Sequence, residues 1–194
     1  MTKIFMELMM KKFILSFLLA GNLVMAQVSI GKQSLSGSSS ILEFSGMTQT
    51  FAPNDVETSN IKGIILPAVA VSPVFTLVTP ATNHPQNGTF LFDKLTSTVR
   101  MFENGNWTDM TDPGTASATI PVAGIETGNG VIIGASSSSA KGALVLESAY
   151  KAMVLPHIKN PHSTVKSPYP GMMCFDTVSK SVAVFDGNKW SYWK

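Results

Sequence analysis

The chain has 194 residues, of which 44% are hydrophobic and only 13% charged, with 14 basic side chains against 12 acidic ones. So small a charge excess gives no electrostatic reason to seek nucleic acid or an anionic membrane surface. A single cysteine, Cys174, excludes an intrachain disulfide framework.

Residues 1–26 read as an export signal. Lys11 and Lys12 precede the apolar run FILSFLLAGNLVMA, and Val24, Met25 and Ala26 form a small-residue cleavage site with Ala26 at the −1 position. The run is too short for a membrane span, and no cysteine follows it to carry a lipid. Met10 begins a more usual signal, MKKFILSFLLA, so Met1 and Met10 both stand as candidate starts. A buried N-terminal helix is the alternative reading. Cleavage after Ala26 takes away three lysines and one glutamate, leaving eleven basic and eleven acidic residues and a formal charge of zero. The expected destinations are the cell surface, the medium or the periplasm, with no membrane span after cleavage.

Beyond the signal, the chain repeats itself. GTFLFDKLTSTVRMFENGNW, from Gly88 to Trp107, aligns without gaps on GMMCFDTVSKSVAVFDGNKW, from Gly171 to Trp190. Phe92 and Phe175, Asp93 and Asp176, Val99 and Val182, Phe102 and Phe185, and Trp107 and Trp190 coincide. Upstream, KGIILP (Lys62 to Pro67) matches KAMVLP (Lys151 to Pro156). Further upstream, VSIG matches VIIG, each followed by a serine cluster and a Leu-Glu pair. Four landmarks in one order predict two related units, 27–110 and 131–194. The Gly-, Thr-, Ala- and Pro-rich stretch 111–130 reads as a linker.

Each unit is expected to end in a three-stranded antiparallel meander. TFLFD, VRMFE and WTDM are the strands of the first; MMCFD, VAVFD and WSYW are those of the second. Asn104-Gly105 and Asp186-Gly187 are strong hairpin signals. IKGIILPAV and YKAMVLPHI are extended apolar runs whose prolines disfavour both helix and central strand. With no sustained helical periodicity after the signal, the predicted class is all-β. Phe90 and Phe92 share one face of their strand and Leu91 and Asp93 the other, so apolar residues on both faces predict packing on two sides. Two small units without disulfides bury little core alone, which predicts a homo-oligomer or a larger surface assembly.

The order serine-rich segment, LE, KG..LP, then G..(F/Y)D......V..F..G.W resembles a repeat of secreted and cell-surface proteins of Bacteroidetes, with similar segments in tail-fibre-like proteins. The matching positions are Gly171, Phe175, Asp176, Thr177, Phe185, Asp186, Gly187 and Trp190, and more loosely Gly88, Phe92, Asp93, Phe102, Gly105 and Trp107. The resemblance implies a β-rich, noncatalytic, trimer-forming surface module and supplies no catalytic residue.

Candidate chemistry is sparse. Asp93, Glu103, Asp176 and Asp186 invite a glycosidase reading, but they recur with the hairpins and suit turn capping. His84, His157 and His162 lack the companions of a zinc site. Cys174 aligns with Leu91, as an inert buried thiol would. Gly128-Asn129-Gly130 lacks the helix and Lys-Ser/Thr of a phosphate loop. No cofactor, metal or nucleic-acid partner is implied. Asp176-Thr177-Val178 resembles a short O-glycosylation signal of Bacteroidetes. Trp107 and Trp190 are read as closing the meanders. Tyr192 and Trp193, which replace Asp109 and Met110 of the first unit, are the candidate contacts for a partner or a glycan.

Overall fold

The computed structural model describes Met6 and residues 27–33, 35, 39–44, 58–74, 85–120, 130–140 and 142–194. The segment read as an export signal, apart from Met6, most of the insertion around residues 46–60, and His84 lie outside the described residues. The fold is mostly β, in several small sheets.

Two sheets carry the meanders. In the first, β5 (Thr89–Asp93), β6 (Thr98–Glu103) and β7 (Asn106–Asp109) run antiparallel, and the short β4 (Ala68–Val69) lies parallel against β5. In the second, β12 (Met172–Asp176), β13 (Ser181–Phe185) and β14 (Trp190–Trp193) run antiparallel, and β11 (His157–Ile158) lies parallel against β12. Order, direction and register agree. Phe92 faces Val99 as Phe175 faces Val182, and Phe102 faces Trp107 as Phe185 faces Trp190. Phe92 donates its N–H to the carbonyl of Pro67, and Phe175 donates to Pro156, both at 2.9 Å. At matching turn positions Ser97 and Lys180 both take the left-handed backbone, with φ of 55° and 58°. This is a sheet-repeat architecture.

The first hairpin turn of each meander is polar. The second turn of the first meander uses Asn104 and Gly105, both at positive φ (50° and 82°), which suits the twist of a two-residue hairpin. The prolines act as expected: Pro67 separates β4 from β3 (Ile64–Ile65), and Pro156 separates β11 from β10 (Ala152–Val154). One helical turn, α1 (Pro161–Thr164), opens on Pro161.

The two halves interlock. β3 leaves the first half and pairs antiparallel with β12 through Ile64–Met173 and Ile65–Met172. In return, β10 pairs parallel with β2 (Ser40–Phe44), whose other edge holds β1 (Val28–Ile30). β8 (Val131–Ile133) and β9 (Leu144–Leu146) form a separate parallel pair. Residues 112–120, inside the stretch of linker-like composition, lie against the second meander. Thr115 donates its N–H to the carbonyl of Asp186, and Ile120 donates to the Tyr169 hydroxyl.

Apolar burial follows the strand faces on both sides of the second meander. One cluster joins Phe92, Val99 and Met110 to Met173 and Val184, so it belongs to both meanders. The other, on the opposite face, holds Ile158, Met172, Cys174, Ala183 and Phe185. Completely burying one Val- or Phe-sized side chain stabilises by about 1.5–3 kcal/mol, and the shared cluster makes that gain depend on both halves.

Candidate functional site

The conserved geometry of the two hairpins starts from two aspartates at the ends of β5 and β12. Asp93 is fully buried. Its Oδ1 accepts the N–H groups of Leu95 and Thr96, which closes the turn. Its Oδ2 accepts both the N–H and the hydroxyl of Ser72, and Arg100 lies 3.2 Å away. Asp176, also buried, accepts from the N–H groups of Val178 and Asn160 through Oδ1 and from the Ser179 hydroxyl through Oδ2. Burial pushes each carboxyl pKa up, but the hydrogen bonds outweigh it and leave both below the ordinary value: Ser72, Thr96 and Leu95 for Asp93; Ser179, Val178 and Asn160 for Asp176.

These carboxylates do not meet their hairpin partners. Asp93 stands opposite Thr98 at one end of β6 and Glu103 at the other. Five strand steps separate those ends by about 17 Å. Glycoside hydrolysis needs carboxyl groups roughly 5–9.5 Å apart. Asp176 is likewise paired with Ser181 at one end of β13, and Asp186 follows Phe185 at the other. Asp186 is fully buried, and its Oδ1 accepts the N–H groups of Asn188 and Lys189, each at 2.8 Å. Its Oδ2 finds no hydrogen-bond partner.

The aromatic candidates separate by strand alternation. Trp107 packs edge-on to Phe102 at 5.2 Å and donates its indole N–H to the carbonyl of Pro73. Trp190 packs on Phe185 at 5.3 Å. Tyr192 and Trp193, adjacent on β14, point to opposite faces, so the structure does not bring them into one platform. Tyr192 is 41% exposed, and its hydroxyl lies 3.1 Å from Nδ1 of His162. Its cross-strand partner is Ala183, where the first meander pairs Asp109 with Arg100. An apolar pair therefore stands in place of an ion pair. Trp193 is 44% exposed and donates its indole N–H to the carbonyl of Met110 at 2.6 Å.

The remaining groups carry little chemistry. Cys174 is completely buried; burial and the nearby Asp176 charge push its thiol up to about 12. His157 packs its ring on Phe175 at 5.1 Å. Among the described residues, no three His, Cys, Asp or Glu side chains are placed to hold a metal ion, and no helix is long and apolar enough to cross a membrane. Thr177 is only 3% exposed, so a glycosyltransferase would reach it only before the turn closes.

Ser72 and Asn160 were not legible as partners of the aspartates. They lie 21 and 16 residues away in sequence, and only the return of the chain beside β5 and β12 brings them in. Comparison with the models of known families, with curated proteins and with solved structures finds no match.

Proposed function

We propose that this is an exported, noncatalytic structural or adhesive component of the cell surface, built from two related β-rich units and acting by packing against protein partners. The observation that carries this reading is the identical register of the two meanders, down to the buried aspartate at the end of each first strand. Residues that recur with a hairpin, and whose polar atoms are used within it, serve the framework. On this view Gly88, Phe92, Asp93, Phe102 and Trp107, with Gly171, Phe175, Asp176, Phe185 and Trp190, are scaffold. The resemblance to surface repeats of Bacteroidetes supports the same reading, and it favours a trimer.

The test is recovery of the chain from its native host. Intact cells should hold it in the surface fraction, and mild cross-linking should capture it with itself or with other surface proteins. Recovery as a free monomer in the medium with no bound protein would refute the reading. Glycan hydrolysis by the purified chain, abolished by Asp186→Asn, would replace it with an enzyme.

A second reading, a carbohydrate-binding module, draws on the exposed rings of Tyr192 and Trp193. Because they lie on opposite faces, each would stack on a sugar separately. Binding on a glycan array that Tyr192→Ala or Trp193→Ala removes would favour it.

A further inference from the structure

The two meanders match in sequence and register, yet they differ in what covers them. The start of β12 is covered by β3: Ile64 and Ile65 pair with Met173 and Met172, and Leu66 donates its N–H to the carbonyl of Gly171 at 3.0 Å. A Cβ placed on Gly171 would lie 3.1 Å from that of Phe92 and 3.6 Å from that of Leu66. In the first meander the matching stretch is Gly88, Thr89 and Phe90. A Cβ on Gly88 would meet nothing within 4 Å, and among the described residues no strand pairs with Thr89 or Phe90 on the edge away from β6. Among the described residues nothing takes the outward-facing backbone groups of that edge. Phe92 turns its N–H away from β6 to Pro67, and Phe90, two residues earlier, turns its own the same way.

The strand that would fill this edge is present in the sequence. Met153, Val154 and Leu155 match Ile64, Ile65 and Leu66 of the covering strand. They belong to β10, the end strand of its sheet. Ala152 turns its N–H toward β2, to the carbonyl of Ser39, so Met153 turns its own outward. Met153 is 38% exposed.

The side chains tell the same story. In the first meander Phe92, Val99 and Met110 are buried, covered by Met173 and Val184 of the second. Of the matching residues of the second meander, Phe175 and Val182 are only half-buried and Trp193 is exposed. Phe90 and Met101, which match Met173 and Val184, pack on the margin of that shared cluster, as Val182 does, and stay half-buried. Met173 and Val184 thus cover the Phe92 end of the first meander, whereas the matching end of the second, at Phe175 and Trp193, keeps part of its apolar surface open among the described residues.

We infer that a second copy of this chain completes the arrangement head to tail, with β10 of one copy pairing antiparallel with Thr89 and Phe90 of the next. This rests on the reading of the protein as a packing component and names its partner. The contact sets Met153 against Phe90 and Val154 against Thr89, and directs the N–H of Leu155 at the carbonyl of Gly88. Phe175, Val182 and Trp193 of the first copy then cover Phe90 and Met101 of the second. It is strand addition at an open edge. Such a contact joins unlike surfaces, so it closes into a ring or runs on as a filament; a ring of three is the trimer favoured above.

The experiment is disulfide trapping in the full mature chain. Thr89→Cys combined with Val154→Cys should give, on oxidation, a ladder of covalent dimers and larger species on a non-reducing gel. Each single variant should stay at monomer mass. Ile65→Cys with Met172→Cys, the matching pair within one chain, is the geometric control and should close without changing mass. Met153→Pro removes the outward N–H alone; it should abolish association while circular dichroism stays unchanged. If the control closes and the Thr89–Val154 variant yields no intermolecular species, or if the single variants cross-link equally well, the inference is overturned. An oligomer that forms without this cross-link removes the strand exchange and leaves the packing reading standing. Loss of the packing reading itself would appear separately, as a chain recovered free and unpartnered from its host.

Discussion

The backbone N–H of Leu66 reaches 3.0 Å to the carbonyl of Gly171, more than a hundred positions along the chain, and this bond ties the first half of the protein to the second meander. Gly171 has φ of +83°, as Gly88 has +86°, so an added Cβ is strained at both. Only at Gly171 does it also press on Phe92. Gly171→Ala should therefore cost about 1–3 kcal/mol more than Gly88→Ala when unfolding of the dilute monomer is followed in urea. Gly88→Ala should instead weaken association. Equal stability losses would mean that the Leu66–Phe92 cover contributes nothing.

Acid should destabilise the fold. Asp93 and Asp176 have carboxyl pKa values below the ordinary one, so at mildly acid pH the unfolded chain binds more protons than the folded chain. The stability they supply is fully present above about pH 5 and is lost as pH falls through their folded values. Tm should drop steadily below about pH 4, and Asp93→Asn with Asp176→Asn should flatten that slope. A wild-type Tm unchanged between pH 5 and pH 2.5 would contradict the assignment.

Removing the Asp93 carboxylate outright leaves the buried N–H of Ser72 and the turn amides of Leu95 and Thr96 without acceptors. Asp93→Ala should cost about 3 kcal/mol, or roughly 6–12 °C in Tm for a chain of this size. A loss below about 1 kcal/mol, measured by calorimetry, would show that water replaces the carboxylate freely.

Cys174 should be chemically silent in the folded protein. With no exposed surface and a thiol pushed up to about 12, it should resist a thiol-specific reagent at pH 8 and react fully once the chain is unfolded. Rapid labelling of the native chain would place the sulfur outside the core.

The meanders were legible because their signals are local. Alternation of Phe90 with Leu91 and of Met173 with Cys174, the Asn104-Gly105 turn, and the repeat itself placed the strands within a residue. β3 and β10 show in the sequence only as extended runs, since two or three residues beside a proline carry little periodicity, and their partners lie far away in sequence. The packing of residues 112–120 against Asp186 and Tyr169 could not be read from Gly, Thr and Ala either, because its bonds run through backbone groups and the Tyr169 hydroxyl. At the candidate site, the aromatic pair was visible as composition. That Tyr192 and Trp193 serve opposite faces follows from strand alternation once β14 is placed. What each ring touches, His162 for one and Met110 for the other, depended on the fold.

That division of faces gives the two rings different predicted roles. Trp193→Ala should weaken self-association at least tenfold, since Trp193 lies on the face with Phe175 and Val182. Tyr192→Ala should leave association unchanged. Equal effects in sedimentation velocity would dissolve the distinction.

The central claim is that this chain works by packing against other chains. Light scattering coupled to size exclusion, on residues 27–194 and across a hundredfold range of concentration, tests it most directly. The account predicts a defined multiple of the monomer mass, three being favoured, that falls toward one on dilution or with Met153→Pro. A strictly monomeric mass at every concentration would contradict it.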